Sequence, residues 1–184
     1  MSEKRLLRLC QAALLAAVAV VLVYFIHFPI IPAAPYLEYD MADVPVLLAT
    51  LLFGPGWGLA ILTVVSVIQA FLLGGSGWVG CVMHIIASGA LVLLVGWIYG
   101  KSESFVRLLV GLVLGVIAVV LLMIPLNLVL TVHFNGAPAE MVRQMMVPVI
   151  IPFNLIKAGV NAVLTVIVYR VLGPVLKRIG VKNK

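Results

Sequence analysis

Apolar runs of about 20 residues recur along this chain, separated by glycine, proline and short polar clusters. A helical run of that length matches the hydrocarbon thickness of a bilayer. Charge content agrees with a membrane setting. There are 12 Lys and Arg and 6 Asp and Glu in 184 residues, whereas a soluble domain carries about 25% charged residues. Too little polar surface is present to cover a water-facing globule, which argues against a soluble enzyme, a disordered chain or a disulfide scaffold. Cys10 and Cys81 are expected near opposite faces of the bilayer, too far apart to pair.

Six spans are expected, at about residues 6–28, 44–53, 57–73, 78–99, 105–134 and 147–172. The first is too long for a secretory signal core, so it reads as a retained helix. Pro29, Pro32 and Pro35 stop it, because each lacks the N–H a helix interior needs. Residues 29–43 then form a loop that holds three of the six acids. Asp43 is placed to cap the short second span, which tolerates Pro45 in its first turn. Pro125 is expected to kink the fifth span. A polar stretch at 135–144 precedes the sixth, whose first turn accepts Pro148. With six spans both termini share a side, and 10 of the 12 basic residues fall there. The positive-inside bias makes that side cytoplasmic and the loop at 29–43 external. The net charge of +6 thus reports topology. No basic stripe with interleaved aromatics points to nucleic acid.

Lys157 is the most informative residue. A lysine at mid-span costs about 2.5–3.5 kcal/mol on insertion scales, so it defaults to an interior cavity or a partner. Asn154, Lys157 and Asn161 lie at i, i+3 and i+7, on one helical face. Asn127, just after Pro125, offers donors and an acceptor to the same face. Snorkelling or a structural bond is the bland alternative for Lys157, and helix–helix adhesion is the one for the asparagines. The loop Tyr36–Asp43 mixes aromatics with acids and reads either as a lid over an external cavity or as an interfacial anchor.

Several patterns are decoys. Gly96-Trp97-Ile98-Tyr99-Gly100-Lys101-Ser102 has three residues between its glycines where a phosphate loop needs four. His84 and Ser88 form an i, i+4 pair without a third metal ligand. Gly74-Gly75-Ser76-Gly77 matches the Gly-x-Ser-Gly of rhomboid proteases, yet no histidine follows at the position a serine base requires. Ala12/Ala16 and Ala13/Ala17 on the first helix, with Gly96/Gly100 and Gly111/Gly115 later, are small-xxx-small pairs that let backbones approach closely in lipid.

The chain resembles the S components of energy-coupling-factor (ECF) vitamin transporters, most closely the riboflavin-binding kind. The match lies in Tyr36-Leu37-Glu38-Tyr39-Asp40, Asp43-Val44-Pro45, Phe53-Gly54-Pro55, Gly74-Gly75-Ser76-Gly77-Trp78-Val79-Gly80, Pro125-Leu126-Asn127 and Pro152-Phe153-Asn154-Leu155-Ile156-Lys157, in that order and spacing. The resemblance implies an all-α membrane protein with six transmembrane helices in one bundle, with no catalysis, no metal and no resident cofactor. It implies a multi-pass plasma-membrane subunit that binds riboflavin as transported substrate. Asn127, Asn154 and Lys157 would hydrogen-bond the flavin, and Leu37, Tyr39 and Asp40 would form the lid. Gly77 or Gly80 would give room for the flat ring. Ala12/Ala16 or Ala13/Ala17 would dock the transmembrane coupling protein, and two ATPase subunits would drive transport. At His84 a smaller polar residue is expected from the family. Two alternatives stay open: an S component for another vitamin, and the intramembrane serine protease built on Ser76.

Overall fold

The computed structural model describes residues 3–73 and 77–178. Ser76 and its neighbours Gly74 and Gly75 lie outside the described residues. The order is α1 (Glu3–Phe25), β1 (His27–Pro29), β2 (Glu38–Asp40), α2 (Asp43–Phe53), α3 (Pro55–Leu72), α4 (Gly77–Gly100), α5 (Phe105–Leu126), α6 (Ala139–Met145) and α7 (Ile151–Arg178). Among the described residues, five stretches are long and apolar enough to cross a membrane, and α2 is a shorter apolar helix. Their outer faces expose large aliphatic side chains such as Leu14, Val21, Val113, Ile117 and Val163. In water these would be an aggregation hazard; against lipid they are the expected solvent face.

The centre of the bundle is α2. Every residue from Asp43 to Leu51 is buried, and the helix touches α1, α3, α4 and α7. A helix apolar all round must sit inside, which fits so short a segment with no lipid-facing stripe. Gly54, at φ +100°, ends it and hands over to Pro55 at the first turn of α3. The left-handed region strains any residue with a Cβ, so glycine suits this turn.

Close packing between α4 and α5 follows from the second pair of glycines. A Cβ at Gly111 would meet the backbone of Val95 at 3.1 Å, and one at Gly115 would overlap Leu91. Gly96 faces Pro55, whereas Gly100 faces open space, so the Gly96/Gly100 pair does not work as a unit. On α1, Ala12 is buried and Ala16 packs against the core, while Ala13 and Ala17 are exposed. One alanine pair therefore faces the bundle and the other is exposed on its outside.

Several boundaries differ from expectation. First, α1 stops at Phe25, and residues 27–29 instead pair antiparallel with 38–40, His27 opposite Asp40 and Pro29 opposite Glu38. The stretch after α1 is thus a small hairpin rather than an irregular loop. Second, the fifth span remains helical through Pro125 and then widens into one π-helical turn at Asn127–Thr131. Third, the polar stretch before the sixth span is helical from Ala139. It is amphipathic: Val142, Met146 and Ile150 pack on Leu128 and Val132, a contact that balances its polar residues. Pro148 lies not in a first turn but within a second π-helical turn, Met146–Ile150. The wider turn accommodates a ring that would otherwise clash with the preceding turn. The helix also runs on past residue 172, to Arg178.

Candidate functional site

A cavity of about 360 Å³ opens beneath the hairpin, walled by α2–α7. This is within the range of small-molecule sites. Its wall is mostly apolar, with polar groups brought in from β2, α2, α3, α4, the π-helical turn after α5, and α7.

The shortest of these contacts joins the hairpin to α7. The Lys157 Nζ donates to Asp40 Oδ2 at 2.7 Å, and the same oxygen accepts from Gln69 Nε2 of α3 at 3.0 Å. Asp40 Oδ1 accepts from the backbone N–H of Ala42 at 3.0 Å, so both carboxylate oxygens are engaged. Asn161, one turn below Lys157, donates to the Asp40 carbonyl at 3.0 Å and accepts from the Tyr39 hydroxyl at 2.9 Å. Strand β2 is therefore pinned to α7 by two side chains on one helical face.

Burial raises the Asp40 pKa. The Lys157 ammonium beside it more than offsets that, aided by His84 and by hydrogen bonds from Lys157 and Gln69, and holds the value at about 2. A carboxyl depressed below its ordinary 3.8 contributes stability above that ordinary value and loses it as pH falls toward the folded one. The difference in melting temperature between the wild type and Asp40→Asn should accordingly stay constant from pH 5 to 8. It should narrow only below about pH 4. Melting curves across that range in detergent check this; a narrowing near pH 6 would mean the ion pair is not formed.

A second buried acid, Asp43, accepts from Ser88 Oγ at 3.1 Å and lies 3.2 Å from His84 Nε2. The other ring nitrogen of His84 is 3.0 Å from Ser66 Oγ. Asp43 is not the helix cap expected of it: Ala42 occupies the cap position with no side-chain hydrogen bond. A carboxylate this deeply buried is better satisfied by two side chains than by a helix end. His84 is likewise a cross-link between α2, α3 and α4, not one half of a pair with Ser88. The sequence Ser66–His84–Asp43 resembles a nucleophile–base–acid chain. However, Ser66 lies inside α3, where neighbouring amides are used by the helix and supply no oxyanion hole.

Two of the asparagines on the wall, Asn127 and Asn154, turn their side-chain N–H groups back to their own helices. Asn127 Nδ2 donates to the Met123 carbonyl and Asn154 Nδ2 to the Ile150 carbonyl, each at 2.8 Å. Asn127 Oδ1 also accepts from Thr131 at 3.3 Å. Asn127 opens one π-helical turn and the Ile150 carbonyl that Asn154 bonds closes the other, where the local carbonyl pattern is loosened.

The family can now be read from comparison. The model of the family "ECF transporter, substrate-specific component" matches residues 7–169. The chain belongs to the substrate-specific S components of ECF transporters. The riboflavin transporter FmnP of Bacillus subtilis is 33% identical over 148 residues, 76% of this chain and 78% of that protein. The riboflavin transporter RibU of Staphylococcus aureus is 35% identical over 151 residues, 79% of each. A solved S component of a bacterial ECF transporter superposes with a TM-score of 0.82 at 33% identity, covering 94% of this chain and 99% of that one. S components are non-enzymatic membrane subunits, so the serine-protease alternative is discarded.

Within this S component, Leu37, Asp40, Gly80, Asn127, Asn154 and Lys157 line one cavity. Tyr39 does not: it is turned away, buried against Phe28 with its hydroxyl on Asn161. Gly77 is also off the wall and opens α4 at φ +62°. Gln69 and Ser66 were not singled out from sequence, although their i, i+3 spacing puts a polar stripe on the otherwise apolar α3. That stripe was the available signal.

Proposed function

We propose that this S component captures riboflavin in the cavity beneath the hairpin, as the membrane subunit of an ECF transporter. The observation that carries the reading is the meeting of Lys157, Asn127 and Asn154 on one mostly apolar wall, in a chain whose relatives include riboflavin transporters. A flat, uncharged, hydrogen-bonding ring system suits apolar walls with a few convergent polar groups. Lys157 gives one N–H to Asp40 and keeps two more to donate. The Asn154 carbonyl oxygen, which has no partner among the described residues, supplies an acceptor. Leu37 and Asp40 cover the ligand, Tyr39 holds the cover to α7, and Gly80 leaves room beside the ring.

The hairpin at residues 29–43 acts as the external lid, and both termini are cytoplasmic. The transmembrane coupling protein docks on the first helix at Ala13/Ala17, the exposed pair, not at Ala12/Ala16. Two ATPase subunits then drive release inside the cell. The chain itself supplies binding and reorientation in the plasma membrane, without a resident cofactor.

The deciding experiment is purification in detergent. The protein should arrive yellow, or should quench the fluorescence of added riboflavin to a one-to-one endpoint. A colourless preparation that leaves riboflavin fluorescence unchanged, while binding another vitamin, overturns the reading.

A further inference from the structure

Charge on the cavity wall is unbalanced. Among the described residues, Lys157 and His84 are the basic side chains on it, facing Glu38, Asp40 and Asp43. Lys157 is committed to Asp40 at 2.7 Å and His84 to Asp43 at 3.2 Å. Arg143 is exposed on α6, within 3.9 Å of Glu140, and does not line the cavity. The Glu38 carboxylate has no hydrogen-bond or ion-pair partner among the described residues. It is exposed at the lid, near enough for its charge to act on the Lys157 ammonium.

We infer that Glu38 sets selectivity against anionic ligands, so that a flavin bearing a terminal phosphate is disfavoured relative to the uncharged vitamin. The inference rests on the riboflavin reading above. A phosphate monoester carries about −1.5 to −2 charges at neutral pH. If it enters the cavity, it loses water where the charge of Lys157 is already matched by Asp40, and burying a charge without its own counter-ion is costly. If it stays at the mouth, it stands beside an unneutralised carboxylate. Either placement is unfavourable whichever way the flavin lies. Repulsion at the mouth also slows encounter with the anion and leaves a neutral ligand unaffected.

The test titrates purified protein in detergent with riboflavin and with riboflavin 5′-phosphate, reading flavin fluorescence at low and high salt. The wild type should prefer riboflavin by about tenfold or more at low salt. That preference should shrink as salt rises, because the repulsion is screened. Glu38→Gln should cut the preference by about fivefold, and Glu38→Lys should cut it further. Equal affinities in the wild type, a salt-independent ratio, or an unchanged ratio in both variants overturns the inference while leaving riboflavin binding intact. Failure of the wild type to bind either flavin removes the riboflavin reading and this inference with it.

Discussion

Lys157→Met is expected to produce the largest loss of function, lowering riboflavin affinity by about ten- to a hundredfold as a charge-assisted donor disappears. It should also destabilise the fold. Asp40 is 2% exposed at its side chain, and removing one partner of a buried pair strands the other at a cost of about 3–5 kcal/mol. The two effects separate in the double variant Asp40→Asn/Lys157→Met. Neutralising the stranded acid should return most of the melting temperature without returning the affinity. Melting in detergent and riboflavin fluorescence titration report the two quantities independently. If the double variant regained both, Lys157 would be a brace for the lid and not a ligand contact.

Asn161→Leu is expected to give the largest loss of lid attachment. It keeps the branching at Cγ but replaces the amide with a bulkier apolar group, and it orphans two groups, the Asp40 carbonyl and the Tyr39 hydroxyl. Each unsatisfied buried group costs about 1–3 kcal/mol, so a total of about 2–6 kcal/mol is expected. Riboflavin should also dissociate about tenfold faster or more, because β2 is no longer held down. Tyr39→Phe, which leaves the backbone bond to Asp40 in place, should show a smaller loss. Stopped-flow release and melting curves check both. Wild-type release from the Asn161 variant would mean that the hairpin is secured elsewhere.

The asparagine also shows how far the sequence could be read. Periodicity correctly put Asn154, Lys157 and Asn161 on one face of the last helix. It could not say that the lower member would meet the lid backbone while the upper two met the cavity, since that depends on how deep the hairpin descends. Hydropathy located the long spans because lipid exposure leaves a local signature. The hairpin itself left almost none: its strands are three residues each, and the pairing spans a proline-rich stretch. Asp43 was misread because a cap is a local relation, whereas its actual partners His84 and Ser88 are 41 and 45 residues away. Pro148 misled for a similar reason. A proline usually marks a first turn, but here the contacts of Val142 and Met146 carry the helix through it in a widened turn.

The brevity of α2 has a consequence for how far cargo must travel. Eleven residues rise about 16 Å, roughly half of a 30 Å hydrocarbon slab. Asp43, its first residue, borders the cavity, so the column of membrane that α2 leaves unfilled is the column the vestibule occupies. On the orientation proposed above, a vitamin in that vestibule stands over the first turn of α2, with the buried length of that helix between it and the cytoplasmic side.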